Sequence, residues 1–296
     1  MDERANWKKV LLSIGLILAV TAAGFTATFF IVSKLLSQTP DIVASDAAPS
    51  NASPRPETEP TTTPQPTTPA TTPAPVTVQP TASKGLLAGK VIVLDPGHQA
   101  HADTSQEPIG PGAKETKDKV TGGTSGVKSK VPESKLVLSI GMQLKASLEA
   151  QGATVYMTRT SEDVNVSNSQ RAAVANDNHA DLFLRLHCDG ANNSSTHGIS
   201  MLVPASNQWT APILESSRSA GDVVQKALIA ATGAKNNGVV PRSDLSGFNY
   251  CQVPSILVEM GFMTNPEEDV KLNSSAYQQK LVQGLTQGCI DWLSGQ

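Results

Sequence analysis

Four ionisable residues in this chain stand where a side chain can be held rigidly and still meet solvent: His98, Glu133, His187 and Glu259. His98 follows the apolar run Val91 to Asp95, His187 ends the run Leu182 to His187, and Glu259 lies near the end of Ser255 to Met260. Glu133 immediately precedes a helical pattern. Two histidines and one carboxylate leave a coordination position open for water, the donor set of a catalytic zinc; structural zinc is closed off, usually by several cysteines. Singly, each residue has a plainer reading: a turn histidine after Pro96-Gly97, a strand-end histidine, a first-turn acid favoured by the helix dipole. Together they point to metal. Glu107 and Glu115 are rival carboxylates in the loop before Glu133, which is favoured because its helix gives it a rigid mount. Glu259 sits in an otherwise apolar strand, so it must be paired, metal-linked or protonated. Burial that raises its pKa suits a general base; the competing reading is a buried ion pair with Arg171 or Arg185.

The elements that must position these residues are legible as periodicities. Val91 to Asp95, Ala153 to Arg159, Leu182 to His187, Gly198 to Val203 and Ser255 to Met260 read as strands. Leu136, Ile140, Leu144 and Leu148 mark one face of a helix from Ser134 to Gln151, closed by Gly152. Further helices are read around Gln170 to Asn178, over Pro212 to Thr232 and over Ser274 to Leu293. The alternation predicts one α/β domain, over 88–294, with a mostly parallel central sheet flanked by helices. In that architecture ligands meet the carboxyl ends of strands, where His98, His187 and Glu259 fall.

Ahead of this domain the composition changes twice. Residues 10–33 carry no charge and are mostly apolar, long enough to cross a hydrocarbon core as a helix. A cleaved signal peptide would have a shorter apolar region and a small-x-small site, so the run is read as an uncleaved transmembrane anchor. Arg4, Lys8 and Lys9 precede it, which leaves residues 1–9 in the cytoplasm and everything after the span outside. Residues 37–84 are Pro, Thr, Ala and Ser with almost nothing to bury, a composition that predicts a disordered linker. The formal net charge is −3, so no broad basic face offers itself to nucleic acid. Cys188, Cys251 and Cys289 form no CxxC pair and are read as core-filling residues, with one disulfide conceivable in an extracellular domain.

DPGH at 95–98, Glu133, RAAVANDNHADLFLRLH at 171–187 and ILVEMGFMTNPEE at 256–268 occur in an order and spacing that resemble a known family. The chain from about Lys90 to Leu293 is similar to the zinc-dependent N-acetylmuramoyl-L-alanine amidases of the amidase 3 type. That resemblance implies zinc on His98, Glu133 and His187, and Glu259 as the catalytic glutamate. It also implies peptidoglycan as substrate, cut at the amide between the lactyl group of N-acetylmuramic acid and L-alanine of the stem peptide. Two departures stand out: the long insert EPIGPGAKETKDKVTGGTSGV before Glu133, and Arg185-Leu186-His187-Cys188-Asp189 where a more usual member reads Ser-Ile-His-Ala-Asn. A zinc peptidase acting within the stem peptide and a non-catalytic wall-binding regulator are the competing functions. Asn192, Asn193, Ser246 and Asn249 are candidate polar contacts in the groove.

Overall fold

The structure is a computed structural model that describes residues 85–295. The segments read as cytoplasmic terminus (1–9), membrane anchor (10–33) and linker (37–84) lie outside the described residues. Among the described residues no helix is long and apolar enough to cross a membrane.

The chain runs through β1 (Val91–Pro96), the hairpin β2 (Asp103–Pro108) and β3 (Thr116–Val120), α1 (Glu133–Ala150), β4 (Thr154–Met157), α2 (Asn168–Asp177), β5 (Leu182–Asp189) and β6 (Ile199–Pro204). It continues through a 3-10 turn at Ala211–Ile213 into α3 (Leu214–Thr232), then β7 (Asn236–Arg242), α4 (Ser246–Asn249), β8 (Ser255–Phe262), α5 (Pro266–Leu272) and α6 (Ser275–Leu293). Six strands form one sheet in the order β4-β1-β5-β8-β6-β7. All neighbours are parallel except β6, which runs antiparallel to β8. The central strands β1, β5 and β8 are almost continuously buried, because helices cover both faces.

On one face Leu136, Ile140, Leu144 and Leu148 of α1 are fully buried, as their four-residue spacing predicts, and share a core with α3 and α6. On the other, Ala172 and Ala175 of α2 pack on Val93 and Phe183, and Phe248 of α4 packs on Leu202 and Leu257. Helix α2 starts at a capping box in which Ser167 and Gln170 satisfy each other's backbone N–H groups. All three cysteines are buried and unpaired, so no disulfide forms among them.

The sequence-based elements are present with ends shifted by a few residues, and four pieces are added. The insert before Glu133 is a β-hairpin rather than a loop, pinned by Trp209 Nε1 on the Pro111 carbonyl and Lys117 Nζ on that of Asp244, both at 2.9 Å. Strand β7 reads Asn-Asn-Gly-Val-Val-Pro-Arg, and it tolerates proline because it lies at the sheet's edge. Helices α4 and α5 are too short to show a period.

Candidate active site

His98 sits just past β1, and its backbone is in the left-handed region at φ 57°, a conformation that costs a non-glycine residue roughly 1–3 kcal/mol. Buried polar groups hold it there. Asp95, wholly buried, takes Arg171 on one oxygen and Arg185 on the other, each at 2.8 Å, with Thr158 Oγ1 at 2.6 Å. Burial alone would push the Asp95 carboxyl up, but the two guanidinium groups hold it far below the usual range. Arg171 then donates to the carbonyls of Pro96 and His98 at 2.9 and 2.8 Å. Arg171 is therefore not a partner of Glu259; it braces the turn.

His98 places Nδ1 2.8 Å from the Thr121 carbonyl, which leaves Nε2 facing Glu133 Oε1 at 3.2 Å. Glu133 opens α1 and is itself buried; Oε2 accepts from Thr124 N and Oε1 from Cys188 N, both at 3.0 Å. His187 Nδ1 lies 3.0 Å from the same Oε1. The rival carboxylates are elsewhere: Glu107 accepts from Ser169 Oγ at 2.7 Å, at the start of α2, and Glu115 is exposed near the hairpin tip. Gly97 and Gly123 make the close approach possible. A Cβ on Gly97 would overlap the His187 ring, and one on Gly123 would press on Glu133 and His98 at 2.8 Å.

Burial lowers the His187 pKa to about 4, so its imidazole is neutral at pH 7 and carries a free lone pair. Burial also works against the charge on His98, but the Glu133 carboxylate raises that pKa overall. Glu133 is held well below the carboxylate range by the two rings, against its own burial.

Glu259 pairs in register with His187 across β5 and β8 and so shares its face of the sheet. Its Oε2 is buried without any hydrogen-bond partner. The predicted alternatives Arg171 and Arg185 are both committed to Asp95, which explains why Glu259 has no salt bridge. Burial first, then the neighbouring Glu133 and Asp189 charges, raise its pKa well above the ordinary value.

The donor atoms of His98, Glu133 and His187 lie within 4.8 Å of one another. Zinc bound at about 2.0–2.1 Å by tetrahedral ligands separates them by about 3.3 Å, close to the 3.0 and 3.2 Å spacings here. Two imidazole nitrogens converging on one carboxylate oxygen, with the charges of Glu259 and Asp189 close by, are a donor set that fits a divalent metal. The group opens into a cleft of about 460 Å³ lined by Thr121, Gly122, Thr124, Glu133, Asp189 and Thr264. Asn192 also lines it, and Asn193 accepts from Ser195 N in an exposed turn. Asn249 is instead consumed in the hairpin's support, its Nδ2 on the Ile109 carbonyl at 2.8 Å, and Ser246 is buried.

Comparison with known proteins places this arrangement. A family model described as N-acetylmuramoyl-L-alanine amidase matches residues 92–291. An N-acetylmuramoyl-L-alanine amidase of Mycobacterium tuberculosis is 31% identical over 75% of this chain and 94% of its own length. The probable cell wall amidase LytH of Staphylococcus aureus is 28% identical over 70% of this chain and 60% of its own. The crystal structure of the N-acetylmuramyl-L-alanine amidase Ami1 from Mycobacterium smegmatis superposes with a TM-score of 0.64 at 28% identity, over 71% of this chain and 99% of that one. The α/β unit built around His98, Glu133 and His187 belongs to the N-acetylmuramoyl-L-alanine amidase family.

Proposed function

We propose that this chain hydrolyses the amide joining the lactyl group of N-acetylmuramic acid to L-alanine of the stem peptide, with zinc held by His98, Glu133 and His187 and Glu259 as general base. One observation carries the catalytic part of this reading: a half-buried carboxylate whose inner oxygen, Oε2, is buried without a partner, on the strand next to His187, facing the same side of the sheet. A protein that only held metal would gain nothing from leaving that group unpaired.

Zinc, when bound, polarises the scissile carbonyl and lowers the pKa of a water from about 16 to about 7. The protein's own contribution is positional. His187 is neutral, so it can donate a lone pair without first losing a proton. Glu133 is ionised and fixed at both oxygens by backbone N–H groups, which prevents it from swinging into the cleft. Glu259, with its proton affinity raised by burial, takes the proton from the attacking water and passes it to the leaving nitrogen of L-alanine. Asp189 and Thr264 line the cleft where the peptide side of the substrate can lie.

The test is chemical. Isolated wall digested with the protein should release intact stem peptides with new L-alanine amino termini. Peptide fragments cut internally, with muramic acid still attached, would identify a peptidase instead. Glu259→Gln should retain one zinc per chain and lose turnover by about 10²–10⁴-fold; clearance of a wall suspension at the wild-type rate would remove Glu259 from the mechanism. The sequence further supports anchoring through residues 10–33, with the catalytic domain on the cell-wall side of the membrane and residues 37–84 as its tether.

A further inference from the structure

Arg159, just after β4, is a buried cation that the chemistry above leaves without a role; its side chain has no exposure. Its Nε donates to the Pro96 carbonyl at 2.8 Å and Nη2 to that of Gly97 at 2.9 Å, so it grips the turn that presents His98. Nη2 also donates to the Ser134 carbonyl at 2.6 Å, one residue beyond Glu133 in the first turn of α1. Nη1 is taken by the Ser161 carbonyl at 3.1 Å and Glu162 Oε1 at 2.8 Å, and Ser134 Oγ reaches the other oxygen of Glu162 at 2.8 Å. All five guanidinium N–H groups are thereby used. Arg171 shares the Pro96 carbonyl but makes no hydrogen bond to α1.

We propose that Arg159 is a positioning residue for the metal centre, a rigid fork that sets the spacing between His98 and Glu133 by holding both segments that carry them. The inference rests on the zinc reading of those two residues. Two ligands that start 35 positions apart, 133 − 98, in different elements come within 3.2 Å; the insert between them leaves as a separate hairpin and touches their side chains through Thr121 and Thr124, whereas Arg159 ties together the backbone of the two segments that carry them. The planar fork can set that distance, since its donors point in fixed directions; a lysine ammonium at the same place could satisfy only part of the set. Groups that orient metal ligands from behind typically govern metal affinity by about 10–100-fold.

The full-length chain carrying Arg159→Lys is compared with wild type in three measurements: melting of the metal-free protein, zinc affinity by competition with a chromophoric chelator, and the visible spectrum of the cobalt-substituted form. The expected result is a folded variant that binds zinc about 10–100-fold more weakly, with an altered cobalt spectrum and a fall in kcat at unchanged KM. A folded variant with zinc affinity within about twofold of wild type and the same spectrum overturns the proposal. Should the lysine variant fail to fold, Glu162→Ala decides: its carboxylate is partly exposed, and removing the acceptor of Arg159 Nη1 should weaken zinc binding while leaving the melting curve in place. Unchanged affinity in that variant overturns the proposal as well. Absence of zinc binding by the wild-type chain would instead overturn the metal reading itself.

Discussion

At the scale of the residue, the site works by crowding. Gly97 lies so close under His187 that any side chain there must displace the ring. Gly97→Ala should therefore lower zinc affinity by at least about tenfold while the fold persists, which chelator competition and circular dichroism together would show. Retention of full affinity would mean that the His187 ring can slide aside and still ligate. Asp95 governs the same turn through charge. Removing one partner of such a buried network costs about 3–5 kcal/mol, so Asp95→Asn should lose that much to urea unfolding at neutral pH. The pH dependence has a definite sign. The folded Asp95 carboxyl titrates far below its unfolded value near 4, so its contribution is complete above about pH 4 and is lost as pH falls below that. The gap between wild type and variant should be flat from about pH 5 to 7 and narrow on further acidification; a gap that widened would show that Asp95 is not held ionised. The juxtaposition of His98, Glu133 and His187 was legible beforehand because strand ends and helix starts are local signals. The place of Glu259 near the end of its strand was legible for the same reason. Arg159 was not, since an arginine at the end of a strand ordinarily faces water, and nothing local announces hydrogen bonds to residues 25 and 63 positions away.

At the scale of the element, the core behind the sheet depends on how closely helices approach. Gly284 and Gly288, one helical turn apart on α6, lie against Leu228 and Val224, one turn apart on α3, and a Cβ on Gly288 would stand 2.7 Å from the Val224 Cα. The obstacle is backbone, which cannot rotate away. Alanine gains about 1 kcal/mol of helix propensity over glycine, and overpacking against backbone costs toward the upper end of about 1–3 kcal/mol, so Gly288→Ala should be destabilising by up to about 2 kcal/mol in denaturant unfolding. A raised melting midpoint would mean that α3 and α6 have slack between them. The helices themselves announce their buried faces in the four-residue spacing of Leu136, Ile140, Leu144 and Leu148. The hairpin does not announce itself: Asp103–Pro108 is mostly polar and exposed, lacking the alternation of a half-buried strand, and it is stabilised by tertiary partners such as Trp209, Asn249 and Ser169. Asn249→Ala removes a buried support from the Ile109 carbonyl, and amide exchange across Asp103 to Val120 should accelerate while that of β1, β5 and β8 stays slow. Uniform acceleration would place Asn249 in the global fold rather than under the hairpin.

At the scale of the whole molecule, composition divides the labour. Among the described residues, the α/β unit has its own continuous core and holds all four residues of the proposed chemistry. In our proposal residues 1–84 have the task of setting where the site acts. An uncharged apolar run of about two dozen residues is long enough to span a bilayer, and a Pro/Thr tract extending about 3 Å per residue could carry an enzyme on the order of 100 Å into the wall beyond it. Reach and chemistry should therefore separate cleanly on truncation. A chain starting at residue 37 should leave the membrane fraction for the soluble one and cleave a small soluble muropeptide with unchanged kcat/KM, because that substrate needs no tether. If the full-length chain is already soluble after alkaline extraction, the run of residues 10–33 does not span. If truncation leaves the protein in membranes but lowers kcat/KM, the N-terminal residues act on the site itself, and the division between anchor and catalyst fails.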